Sequence, residues 1–255
     1  MPGASIYSLY LYTIRLTNII MLKLTEKRIV SILWMLKNKG KRWSIYELRK
    51  GAAKMLGKDD AVYKKNTRFP ITDLALTYGP TFTFAKELEK NGLIVKDAKT
   101  AEYGVARASD IIKLISLAMP FTSLKTLNYY SPLDFSETLK MVQASKLAHA
   151  FTVFSGSELY RQYVKTDQVH AYIKEGEEEK WSKYLLSKNC LKAQKSQANL
   201  FLIPTEQEAF FKDATKVKGY SVAPMPILLS DLLSFGGLAE EQANFLMEEW
   251  LNNRL

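Results

Sequence analysis

Gly156, Ser157 and Asp167 are the residues of this 255-residue chain whose types come nearest to a reaction centre. A Gly-Ser turn ahead of a strand with two carboxylates one residue apart would hold the two divalent ions of nucleotidyl transfer. The second carboxylate is missing, because Gln168 and Val169 follow Asp167, and Ser157 is therefore expected to cap a helix. His149 and His170 stand far apart, outside any metal-ligand spacing such as HExxH. Cys190 is the only cysteine and is expected to be a buried, inert thiol; one cysteine makes no intrachain disulfide or thiolate zinc cluster, which fits a reducing cytoplasm. Glu175, Glu177, Glu178 and Glu179 open a helix, where acids favour the positive end of the dipole. No P-loop, GxSxG or dinucleotide fingerprint occurs, so no catalytic residue, metal or cofactor is expected.

Binding chemistry is more legible than reaction chemistry. The formal charge is +10, and it is divided unevenly. Residues 1–120 carry 21 basic and 10 acidic side chains, a net +11, whereas residues 121–255 carry 15 and 16, a net −1. Lys37, Lys39, Lys41, Arg42, Arg49, Lys50, Lys54, Lys58, Lys64, Lys65 and Arg68 crowd one interval against Glu47, Asp59 and Asp60. A localised basic region suggests a polyanion partner; a lysine-rich surface that keeps the protein soluble is the alternative. With 47% apolar and 24% charged residues the composition is that of a globular protein, and the length favours two domains. The apolar segment from Ile6 to Met21 contains Arg15 and is shorter than a membrane span, so residues 1–21 are expected to be an extension or a segment exchanged at a dimer contact, with no membrane partner.

The elements that would position the basic residues follow from periodicity. Thr25 caps a helix with Ile29, Ile32, Leu33 and Leu36 on its apolar side, ending at Gly40. Ser44 caps a second, with Ile45, Leu48, Ala52, Met55 and Leu56 inside and Arg49, Lys50 and Lys54 outside. A basic connection follows, with a turn or short helix at 71–76. A third helix is expected from Pro80 to Asn91, stopped by Gly92, with Thr81, Phe84, Ala85 and Leu88 inward. Residues 93–96 and 100–107 then alternate as two antiparallel strands around Asp97, Ala98 and Lys99.

Three helices and a hairpin make a winged helix-turn-helix, expected over residues 22–120 with a connecting helix capped by Ser109. Its third helix would enter the major groove of double-stranded DNA. Phe82, Thr83, Lys86 and Lys90 are the groove-facing candidates; Lys99, Tyr103 and Arg107 belong to the wing; Arg42, Arg49, Lys50 and Lys54 face phosphates. Phe82 also suits a core or interface position, and Lys86 could merely pair with Glu87 or Glu89. Residues 121–134 read as a linker, and Asp134 with Glu137 forms a capping box. Residues 135–255 alternate strands and helices, so the expected class is α+β, a winged-helix domain followed by a mixed α/β domain.

The tail YSVAPMPILLSDLLSFGGLAEEQANFLMEEWL, with NLFLIPTEQEAFF, FTVFSGSELYRQYV and VHAYIKEG, resembles the archaeal branch of the AbiEi-like antitoxin family. Val222, Ala223, Pro224, Ile227, Leu229, Asp231, Leu232, Gly236, Gly237, Glu241 and Ala243 match the family's end block, whereas Met225 and Ser230 depart from it and its Gln position is absent. The resemblance runs from about residue 22 to the end. It implies a cytoplasmic transcriptional regulator that represses its own operator and opposes a nucleotidyltransferase toxin, functionally rather than by necessary contact, with a homodimer as a further expectation. The competing reading is an enzyme, a nuclease or nucleotidyltransferase, that the N-terminal domain targets to nucleic acid.

Overall fold

The computed structural model describes residues 24–56, 76–164 and 166–254, and the chain divides between Met119 and Pro120 into two compact units. The expected extension at 1–21 and most of the connection from Gly57 to Tyr78, including all but Leu76 of the turn expected at 71–76, lie outside the described residues. The class is α+β.

In the first unit α1 (Glu26–Lys37), α2 (Ile45–Met55) and α3 (Tyr78–Lys90) precede a two-stranded antiparallel sheet, β1 (Ile94–Lys96) and β2 (Tyr103–Val105), and a further helix, α4 (Ala108–Ala118). Ser44 starts α2 as half of a reciprocal cap: its Oγ accepts the Glu47 N–H, and the Glu47 carboxylate accepts the Ser44 N–H at 2.7 Å. The α3 helix begins two residues before Pro80. It ends as a Schellman turn, in which the Gly92 N–H reaches Glu89 O at 2.8 Å and the Leu93 N–H reaches Leu88 O at 3.0 Å. Gly92 supplies the left-handed φ of +70° that this turn needs, and Leu93 drops into the core beside Leu88. The strands are shorter than expected because the turn consumes residues 97–102. Asp97 Oδ1 accepts the N–H groups of Lys99 and Thr100, and Ala101 at φ +59° donates to Asp97 O.

An aromatic stack ties these pieces together. Trp43 exchanges backbone hydrogen bonds of 2.9 and 2.8 Å with Tyr103, so the approach to α2 extends the hairpin by one pairing. Its indole stacks on the Tyr103 ring at 5.5 Å and meets Trp34 edge-on at 6.0 Å. Trp34 in turn lies so close to α2 that a Cβ on Gly51 would fall 1.8 Å from its Nε1. In α4 the cap is Arg107, whose φ of −137° is non-helical; Ser109, expected there, is inside the helix, and Arg107 pairs with Asp110.

The second unit contains a seven-stranded mixed sheet in the order β6-β3-β7-β5-β4-β9-β8. Its elements are a 3-10 turn (Phe121–Ser123), β3 (Leu127–Tyr130), α5 (Phe135–Ala144), β4 (His149–Thr152), α6 (Val153–Tyr160), β5 (Val169–Lys174), α7 (Glu178–Leu186), β6 (Leu191–Lys192), β7 (Leu200–Thr205), α8 (Ala209–Lys212), β8 (Thr215–Val217), β9 (Tyr220–Val222), α9 (Met225–Phe235) and α10 (Leu238–Leu251). Pairs β5–β7 and β4–β9 are parallel; the other pairs are antiparallel.

The linker expected at 121–134 is not one: β3 pairs with both β6 and β7, and Asn199 fixes the chain beyond it by bonding both the N–H and the C=O of Ser131. Strand β5 is buried from Val169 to Ile173, as a central strand covered on both faces must be. Alternation places His170 and Tyr172 on one face, under α9, and Val169, Ala171 and Ile173 on the other. The β4–α6 junction is abrupt. Val153 takes φ +48°, unusual for a β-branched residue, and a Cβ on Gly156 would fall 2.9 Å from both Phe151 O and Leu228 Cδ1.

Candidate nucleic-acid interface

On α3 the inward residues Thr81, Phe84, Ala85 and Leu88 are buried, which leaves Tyr78, Phe82, Lys86 and Lys90 exposed at successive four-residue steps. These four form a continuous stripe. The Tyr78 and Phe82 rings stack at 6.1 Å and 8° between planes, and the Lys86 ammonium stands 5.9 Å from the centre of the Phe82 ring. Thr83 is exposed beside them. Lys86 also pairs with Glu89 at 2.7 Å, a bond that holds its pKa above the usual lysine value. Tyr78 joins the stripe because the helix begins two residues before Pro80, and its four-residue spacing from Phe82 is the signal for it in the sequence.

The other candidates fall into two groups. Lys50 and Lys54 are exposed on α2, in step with the exposed Tyr46, and the half-buried Arg49 places its guanidinium 5.5 Å from the Tyr46 ring centre. Arg42 is exposed and runs beside the hairpin: its side chain passes 3.3 Å from where a Gly104 Cβ would lie, and its charge helps hold the Asp97 carboxyl below the usual range, after the two backbone bonds that Asp97 accepts. Lys99 is exposed in the turn. Arg107 is half-buried and engaged with Asp110.

Tyr103 is a correction. Its ring is 1% exposed, packed on Trp43, so it cannot present a surface to DNA. Strand alternation did not predict this, because the extra pairing with Trp43 covers the Tyr103 side of the hairpin. Its hydroxyl is enclosed without a partner, and burial raises its pKa.

In the second unit the residues considered for catalysis are dispersed. Asp167 is exposed on a loop, and among the described residues no three metal-binding side chains cluster. Ser157 does not cap α6: it lies inside the helix and donates to Phe154 O at 3.1 Å, while the strand end at Thr152 is the cap position. Cys190 is buried 3.7 Å from the Met141 sulfur, and burial raises its pKa. His149 is held between Leu147 O at 2.8 Å and Gln143 Oε1 at 3.2 Å. Glu177 sits at the cap position of α7 and accepts from Lys180 at 2.9 Å.

A polar cluster that sequence reasoning did not find lies beneath α9. Asp231, 3% exposed, accepts the Thr152 hydroxyl and the Tyr172 hydroxyl, the latter at 3.0 and 2.9 Å from its two oxygens. Burial pushes its pKa up to about 7, against the lowering effect of both hydroxyls. Ser155 ties α6 to β5 by accepting the His170 N–H at 2.9 Å and donating to His170 O. Each of these groups is internal and fixes the β4–α6 junction against β5 and α9. No helix among the described residues is long and apolar enough to cross a membrane. Compared with known proteins, the chain matches no family model, no curated protein and no solved structure.

Proposed function

We propose that the first unit is a winged helix-turn-helix that binds duplex DNA, and that the protein is a transcriptional regulator acting on its own operator. The observation that carries this reading is the α3 stripe. Two exposed rings and two lysines, with Thr83 alongside, follow one side of a helix whose other side is core. In this reading α3 lies in the major groove, with Thr83, Lys86 and Lys90 near base edges and Phe82 against apolar groups such as the thymine methyl. Lys50 and Lys54 on α2, Lys99 in the hairpin turn and Arg42 beside it neutralise phosphates. Tyr103 has no part beyond holding the hairpin to Trp43.

The concentration of positive charge in residues 1–120 favours this partner over a general protein contact. The tail's resemblance to AbiEi-like antitoxins supports the narrower reading of an autorepressor that opposes a nucleotidyltransferase toxin, with residues 135–255 serving dimerisation or neutralisation. Footprinting of the DNA upstream of the protein's own gene, at two salt concentrations, tests it. A short protected site is expected, lost in Lys86→Ala/Lys90→Ala while circular dichroism and the unfolding midpoint stay as in the wild type. Failure of the wild-type protein to protect any upstream sequence would end the proposal.

A further inference from the structure

A cavity of about 150 Å³ opens in the second unit between the 3-10 turn, β5, the β6–β7 turn and the end of α9. Its walls are aromatic. The His170 ring stacks on Phe201 at 4.7 Å and 10°, and Phe121 and Phe235 meet the same imidazole edge-on at 5.8 and 5.7 Å. The rim is polar and cationic, with Lys195 and Gln168. No carboxylate lines it, and Lys195 makes no ion pair among the described residues.

Two features point to an occupant. His170 is 3% exposed, and its ring, packed on Phe201, forms part of the cavity wall. Burial, aided by the nearby Lys195 charge, keeps the imidazole neutral, so Lys195 supplies the charge at the rim. An apolar space of about 150 Å³ takes one benzene-sized ring, and an uncompensated cation at the mouth favours an anion on that ring.

We propose that this cavity is a binding site for a small single-ring aromatic carboxylate, whose ring enters the box of Phe121, Phe201, Phe235 and His170 and whose carboxylate meets Lys195. The site belongs to the second unit alone and is independent of the DNA-binding reading. Its test contains no DNA, so either can fail without the other.

The experiment is calorimetric titration of the full-length protein with benzoate, followed by NMR of its two histidines. One benzoate is expected to bind per chain. Acetate, which lacks the ring, and benzylamine, which reverses the charge, are expected to bind at least about tenfold more weakly. Lys195→Met, on an exposed turn, is expected to weaken benzoate by about tenfold without moving the unfolding midpoint. The His170 nitrogen signals are expected to shift on loading while those of His149 stay. Absence of benzoate binding at millimolar concentration, equal binding of acetate, or an unchanged affinity in Lys195→Met would each overturn the assignment.

Discussion

Replacing Asp231 with Asn is expected to remove one branch of the protein's pH dependence. The carboxyl is 3% exposed, and burial outweighs its bonds from Thr152 and Tyr172 to set its pKa at about 7, against an ordinary value of 3.8. Between about pH 4 and pH 7 the folded protein therefore holds a proton that the unfolded chain has released. This contribution is complete below about pH 4 and is lost as the pH rises through about 7. Some three pH units at about 1.4 kcal/mol each amount to about 4 kcal/mol. The histidines act in the opposite sense. Burial lowers the pKa of His149 and sets that of His170 at about 3, so their contribution is present above about 6.5 and is lost as the pH falls. The wild-type profile partly cancels in this interval, and the difference between wild type and Asp231→Asn isolates the carboxyl. Asn preserves the shape, with one group that accepts a hydroxyl proton and one that donates. Urea unfolding of both proteins from about pH 4 to pH 8 should show the variant gaining on the wild type by up to about 4 kcal/mol. Parallel profiles would mean that Asp231 titrates alike in the folded and unfolded chain, and would refute the burial argument.

Four other perturbations test the first unit. In salt titrations of operator binding, Lys50→Ala/Lys54→Ala should lower the slope of log K against log salt by about two, at about 0.9 per phosphate released. Glu89→Gln, which frees Lys86 and removes a carboxylate beside the stripe, should tighten binding; looser binding would place Lys86 away from the DNA. Gly51→Ala should destabilise the protein by about 1–3 kcal/mol in urea, since overpacking against Trp34 exceeds the helix-propensity gain of about 1 kcal/mol. A more stable variant would contradict the tight α1–α2 contact. Tyr103→Phe removes a buried hydroxyl that has no partner, so its melting temperature should not fall and its DNA affinity should not change; a large loss of affinity would return Tyr103 to the interface.

Local signals carried much of the chain. Ser44 with Glu47, and Asp134 with Glu137, form the two reciprocal caps, and Gly92 stops α3, because each depends on groups three or four residues apart. The inward residues of α3 were legible from their spacing alone. Boundaries suffered where two signals competed. Pro80 marked a helix start that lies at Tyr78, since proline is tolerated anywhere in the first turn. Ser109 yielded the cap position of α4 to Arg107, and β8 escaped notice as a short, exposed edge strand.

What the sequence by itself determined is what acts over one or two turns of chain: the helices, their caps, the hairpin, and a basic first half beside a near-neutral second. Tertiary structure decided where contacts distant in sequence override that local pattern. Tyr103 went inside because Trp43, sixty residues earlier, pairs with it, and the supposed linker became β3 because β7, seventy residues later, needed an antiparallel neighbour. Asp231, Thr152 and Tyr172 meet only once α9 covers the sheet. Such contacts depend on which surfaces close on one another in three dimensions, and no periodicity along the chain encodes that pairing.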